Sequence, residues 1–217
     1  MNNEPDKSEY GRWDTFGGTI KVTKRNQSEH KAFEDIDFDV RKVFQERLAT
    51  SMGLDKYSYI MEQVNRTNVA IDNEFQRTFN GFYIVRRNED WRKCYYNYFE
   101  RVKKDNPSFE SIITYLFEKT GNIEPSFSSK MLATICSEKP IWDRYVVQNL
   151  NINLTGTSKE EKLQNAVVLY EDIENWYKSF LDSEKGRECI KEFDAVLPDY
   201  KSISNIKKVD SILWSIR

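Results

Sequence analysis

Residues 106–121 read Asn-Pro-Ser-Phe-Glu-Ser-Ile-Ile-Thr-Tyr-Leu-Phe-Glu-Lys-Thr-Gly, and their spacing decides the fold class. Phe109, Ile112, Ile113, Leu116 and Phe117 recur at three- and four-residue intervals, so they fall on one stripe of a helix. Asn106-Pro107-Ser108 supplies a chain restart before the stripe, and Thr120-Gly121 supplies a stop after it. Upstream, Trp91, Tyr95, Tyr98, Phe99 and Val102 share one face, with Asn88 or Asp90 as the cap. Asn80-Gly81 reads as a turn, followed by Phe82-Tyr83-Ile84-Val85 as a short extended piece or a lead-in. Further back, Phe33, Ile36, Val40, Val43, Phe44 and Leu48 form a helical pattern that Gly53 can end, and a helix over about 56–64 follows.

Downstream, Glu124-Pro125-Ser126-Phe127-Ser128-Ser129-Lys130 looks like a helix entry, and Met131, Leu132, Ile135 and Cys136 bury one side. Pro140 ends that element. A helix runs from about Trp142 through Val146, Val147 and Leu150. Ser158 caps a long helix on Leu163, Val167, Tyr170, Ile173, Tyr177 and Leu181. A helix over about 186–196 is broken by Pro198, and a last one carries Ile203, Ile206, Val209, Ile212, Leu213 and Trp214. The expected architecture is all-α, a multi-helix bundle of seven to nine helices over residues 33–217. Residues 1–32 read as a loosely ordered extension, with β-branched alternation near Thr19–Thr23 compatible with one short strand.

Composition narrows the function classes. The 217 residues hold 13 Phe, 12 Tyr and 5 Trp, too much bulk for a largely disordered chain. Only 8 Gly and 5 Pro disfavour turn-rich all-β architecture. No apolar run is long enough to span a membrane, and the first residues lack a signal peptide's basic head and apolar run. Three scattered cysteines (Cys94, Cys136, Cys189) suit reduced thiols and a cytoplasmic location, with Cys136 expected as a small buried hydrophobe. A single histidine, His30, disfavours zinc and Ser-His or Cys-His catalysis, so neither metal nor cofactor is expected.

The net charge of −2 is unevenly spread. Residues 84–104 carry seven basic residues (among them Arg86, Arg87, Arg92 and Lys93) against three acidic ones, whereas 159–199 carry six basic against eleven acidic. The first stretch is a candidate face for the phosphates of duplex DNA. The second is a candidate surface for a protein partner.

The stretch 109–150 carries two further features: Lys130 after a Ser-rich entry, and Pro140-Ile141-Trp142-Asp143-Arg144-Tyr145-Val146. About 40 residues here resemble the core of the helix–hairpin–helix DNA glycosylases, the 8-oxoguanine branch in particular. That family sets a nucleophilic lysine in one helix and a carboxylate at the start of the next, and Lys130 and Asp143 match those positions. The resemblance implies a divergent glycosylase/lyase of base excision repair, acting on damaged DNA through a lysine Schiff base. Asp143 would stabilise positive charge on the ribose, and Trp142 or Phe127 would line the pocket for an extruded base. Lys207-Lys208-Val209-Asp210-Ser211-Ile212-Leu213-Trp214 would be the last helix docking on such a bundle. Two features depart from the family: the Gly-rich hairpin before the lysine is missing, and Lys130 and Asp143 are only 13 positions apart. The alternative is a non-enzymatic helical interaction module that uses the acidic 159–199 region.

Overall fold

The computed structural model describes residues 53–215, together with Val43. The expectations for residues 1–32, the helix beginning at 33 and His30 lie outside the described residues. Within them the structure is all-α. Nine helices follow one another: α1 Leu54–Gln63, α2 Asn73–Tyr83, α3 Glu89–Val102, α4 Phe109–Thr120, α5 Pro125–Ile135, α6 Arg144–Asn149, α7 Lys159–Asp182, α8 Glu184–Val196 and α9 Asn205–Ser215. A short 3-10 turn, Pro198–Tyr200, precedes α9, and no strand occurs among the described residues.

Side-chain caps start most of these helices, because the first N–H groups of a helix have no partner within it. Asp72 Oδ1 accepts from the N–H groups of Glu74 and Phe75 at the head of α2. Asn88, Ser108, Ser158 and Ser183 do the same for α3, α4, α7 and α8. Gly121, at φ 69°, ends α4 in the left-handed region where a Cβ is costly.

Asn80-Gly81 is not a turn; both residues sit inside α2. Tertiary contacts outweigh the local signal there. Asn80 Oδ1 accepts the Tyr96 hydroxyl at 2.7 Å, and Phe79 and Tyr83 on either side are buried. That burial is worth several times the roughly 1 kcal/mol that a helical glycine costs. The helix stops instead at Ile84, whose φ of 54° is left-handed. Val85 N–H then closes back on the Asn80 carbonyl at 2.9 Å.

Two other expectations shift. Trp142 precedes α6 rather than starting it, because its N–H is spent on Ser129 Oγ at 2.8 Å and Asp143 becomes the cap. On α7 the buried face is Ala166, Leu169, Tyr170, Ile173, Tyr177 and Phe180, while Leu163, Val167 and Leu181 are half-buried flanks. Cys136 is half-buried; the fully buried thiol is Cys189, which burial pushes up to about 12. Buried apolar residues from all nine helices belong to one continuous core, with Phe75, Phe79, Tyr95, Tyr96 and Phe99 as its aromatic centre. Helix α9 packs on α6, α7 and α8, and α1 packs on α2. No helix among the described residues is long and apolar enough to cross a membrane.

Candidate functional site

Lys130 sits in the second turn of α5, a segment whose polar residues are tied down. Pro125 occupies the first turn, where its missing N–H costs nothing. Ser128 donates to the Glu124 carbonyl at 2.8 Å, and Ser129 donates to the Ser126 carbonyl at 3.0 Å while accepting from Trp142. The last bond pulls the chain after Pro140 onto α5. It thereby brings Asp143, one residue beyond Trp142, to the same cavity as Lys130, one residue beyond Ser129.

That cavity has a volume of about 290 Å³. One wall comes from α1 and the end of α2, with Phe82, Tyr83 and Ile84. The other comes from α5, the 141–143 segment and α9. Ile84 and Trp214, 57% and 36% exposed, border it together with the exposed Lys56, so its exposed lining pairs two apolar side chains with one cation. A β-branched residue in the left-handed region is strained, and here the strained residue borders the cavity.

The charged interior holds two lysines and two aspartates: Lys130, Lys207, Asp143 and Asp210. Four lysines are buried among the described residues, and their partners distinguish them. Lys103 pairs with Glu100 at 2.8 Å, Lys207 with Asp210 at 2.5 Å and Lys208 with Asp194 at 2.6 Å. Lys130 pairs with no carboxylate among the described residues. Its amine donates only to the Tyr83 carbonyl at 3.2 Å and lies 5.3 Å from the Phe127 ring and 5.9 Å from that of Tyr83. Burial therefore holds the Lys130 amine below the ordinary lysine value. Asp143 and Asp210 oppose that shift and Lys207 adds to it. Asp210 moves the other way: burial raises its carboxyl above the ordinary range despite the Lys207 cation beside it.

Asp143 is half-buried and caps α6, Oδ1 accepting the Tyr145 N–H at 3.0 Å. The amine and carboxylate picked out by sequence thus share one hollow. The aromatic residues expected beside them do not border it. Trp142 is buried against Phe109 in a parallel stack, and Phe127 packs on Trp91 at 4.8 Å. The rings that line the hollow are Phe82, Tyr83 and Trp214.

The basic stretch divides by role. Arg87 donates to the buried Glu124 carboxylate at 2.7 Å and lies over the rings of Trp91 and Phe127, which makes it a structural clamp. Arg101 stacks on Tyr98 and Tyr115, and Lys103 is spent on Glu100 and the Thr67 carbonyl. Arg86 and Lys93 are exposed and Arg92 is half-buried; none of these borders the cavity.

Sequence reasoning missed Lys207, Asp210 and Trp214. A signal was present: Asp210 lies four residues after Ile206 and beside Val209, on the apolar spacing of α9, where a carboxylate is out of place. The helix is buried nearly all round, Ile206 through Leu213. Among the described residues no cluster of His, Cys, Asp and Glu could hold a metal ion. The charged hollow can do amine chemistry next to carboxylates, with Ile84, Trp214 and Lys56 as the exposed side chains of its lining. No family model, curated protein or solved structure matches the chain.

Proposed function

We propose that this chain is a divergent DNA glycosylase/lyase in which Lys130 is the nucleophile and Asp143 the stabilising carboxylate. One observation carries the reading. Among the described residues Lys130 is the buried lysine without a carboxylate partner, and it borders the same cavity as Asp143. A buried cation costs free energy unless it is paired, so a chain tolerates one where the neutral amine is of use. An unprotonated amine can attack the anomeric carbon of an extruded nucleotide, displace the base and leave a Schiff base. The carboxylate of Asp143 would face the positive charge that develops on the sugar.

The surrounding geometry supports the same reading. Helices α4 and α5 pack against each other across the short connection 121–124, with Lys130 in the second of the pair. The exposed Ile84 and Trp214 offer apolar surface to a base leaving the stack. Arg86, Arg92 and Lys93 would contribute phosphate contacts, which give affinity without sequence choice.

Borohydride trapping on duplex DNA carrying abasic sites or damaged bases tests the proposal. The expected result is a covalent adduct mapped to Lys130 and lost in Lys130→Ala. No adduct, or one that survives Lys130→Ala, overturns it. Binding should also weaken steeply as salt rises from about 50 mM. A chain that binds no duplex at that salt fits the non-enzymatic interaction module instead.

A further inference from the structure

A lysine that attacks carbon must do so without its extra proton, and a carboxylate in the same cavity is a ready acceptor for it. Among the described residues that line it, only Asp143 and Asp210 are acidic. Asp143 spends Oδ1 on the Tyr145 N–H, and in the reading above it faces the sugar's positive charge. Asp210 is held differently. Its Oδ2 accepts from Lys207 at 2.5 Å, and the Lys207 amine is itself set 5.3 Å and 5.2 Å from the rings of Tyr57 and Phe82. Its other oxygen, Oδ1, accepts no hydrogen bond among the described residues, although the residue is 6% exposed. A fixed carboxylate with an uncommitted oxygen at a cavity is equipped to exchange a proton.

We propose that Asp210 takes the proton that frees the Lys130 amine and returns it to the leaving group, as the second working carboxylate of the cavity. Lys130 and Asp210 border one cavity without hydrogen-bonding to each other, so the transfer runs through one bridging water: an N–H bond of the Lys130 ammonium breaks, the water passes the proton on, and an O–H bond forms on Asp210. The nitrogen lone pair then forms the N–C bond to the sugar carbon. The carbon–base bond breaks with its electron pair, and the departing base collects the proton from Asp210. Charge and protons balance, and Asp210 ends ionised as it began.

The electrostatic setting suits that exchange. Burial raises Asp210 and lowers Lys130, so the two proton affinities approach each other. The phenols of Tyr57, Tyr83 and Tyr177 that feel Asp210 are all raised by burial and stay protonated near neutral pH. The charged groups that face Asp210 are therefore Lys207 from its own helix, Lys130 from α5 and Asp143. Lys56, exposed on α1, also borders the cavity.

The inference rests on Lys130 as nucleophile but not on DNA as substrate, so a small aldehyde tests it. The full chain is treated with glycolaldehyde and cyanoborohydride from about pH 5 to 10, and alkylation at Lys130 is timed by peptide mass mapping. The expected result is a bell-shaped rate profile in the native chain. Asp210→Asn should slow trapping at saturating aldehyde at least about tenfold, and Asp210→Glu should recover most of that loss. If Asp210 acts only as a nearby charge, its removal lowers the proton affinity of Lys130 and speeds trapping at low pH. Acceleration, or no change, overturns the proposal. Should Asp210→Asn fail to fold by circular dichroism, the native profile decides, because a monotonic rise with pH overturns the proton route. If Lys130 is not alkylated at all, the proposal fails with the nucleophile. If glycolaldehyde is trapped with these signatures and DNA is not, the nucleic-acid reading alone falls.

Discussion

Ser129 holds Trp142: its hydroxyl oxygen accepts the Trp142 backbone N–H at 2.8 Å in the protein interior. Lys130 and Asp143 each follow one of these two residues, so this bond joins the helix that carries the amine to the segment that carries the carboxylate. A gap of 13 residues in sequence is closed by one hydrogen bond and the turn around Pro140.

Ser129→Ala removes that acceptor and leaves the Trp142 N–H buried without a partner. The loss should be about 1–3 kcal/mol, the usual penalty for an orphaned buried donor. Urea denaturation measures it. Trapping at Lys130 should fall along with stability, because Asp143 is no longer held beside the amine.

Lys130→Met should stabilise the protein at neutral pH, by about 1 kcal/mol, since an apolar side chain of similar length avoids the cost of a buried cation. The sign of the pH dependence follows from the shift. The folded value of Lys130 lies below its unfolded value, so the native chain gains stability as pH rises through that folded value toward the ordinary lysine range. The advantage of Lys130→Met should therefore shrink on going to alkaline pH. Denaturation midpoints of both chains at several pH values check this; a lysine kept for structure alone would give a less stable variant throughout.

Arg87 and Arg86 are neighbours with opposite prospects. Arg87→Ala strips the one cation that pairs with the Glu124 carboxylate among the described residues, where its Oε1 has no hydrogen-bond partner. Because the Arg87 side chain is 39% exposed, solvent screens part of the loss, and the expected cost is about 1–2 kcal/mol. Arg86→Ala should stay within about 0.5 kcal/mol of the native chain by thermal unfolding. In salt titrations with duplex DNA, Arg86→Ala should reduce the salt slope by about one unit.

Ile84→Gly relieves a left-handed conformation that costs a β-branched residue roughly 1–2 kcal/mol. Part of that gain is returned through the flexibility of glycine in the unfolded chain, so a net stabilisation of about 0.5 kcal/mol is expected. Ile84 is exposed and borders the cavity, so DNA affinity should fall while stability rises. A fall in both would place Ile84 in the packing rather than at the ligand.

Most helices were legible because their signals are short-range. The stripe from Phe109 to Leu116 is buried as the spacing required, and Ser108, Asn88 and Ser158 cap as their side chains allow. Asn80-Gly81 misled because a dipeptide's turn preference is small beside the burial of Phe79 and Tyr83. Lys130 and Asp143 were visible as residue types in a pattern. Of their cavity partners on α9, Asp210 left only a faint mark, a carboxylate on the apolar spacing, and Lys207 left none, since the pair at i and i+3 reads as a surface ion pair until the helix is seen to be buried around its circumference.

The sequence by itself determined that the described residues are all-α and where most of their helices lie, though not the course of α2 or the start of α6, because helical periodicity and capping depend on residues within a few positions of one another. Only the tertiary structure decided which charges are paired and which stand alone. Among the described residues it placed Arg87, Lys103, Lys207 and Lys208 on carboxylates and left Lys130 without one, facing a hollow. That outcome depends on how helices distant in sequence pack, and on the price of desolvating a charge once they have.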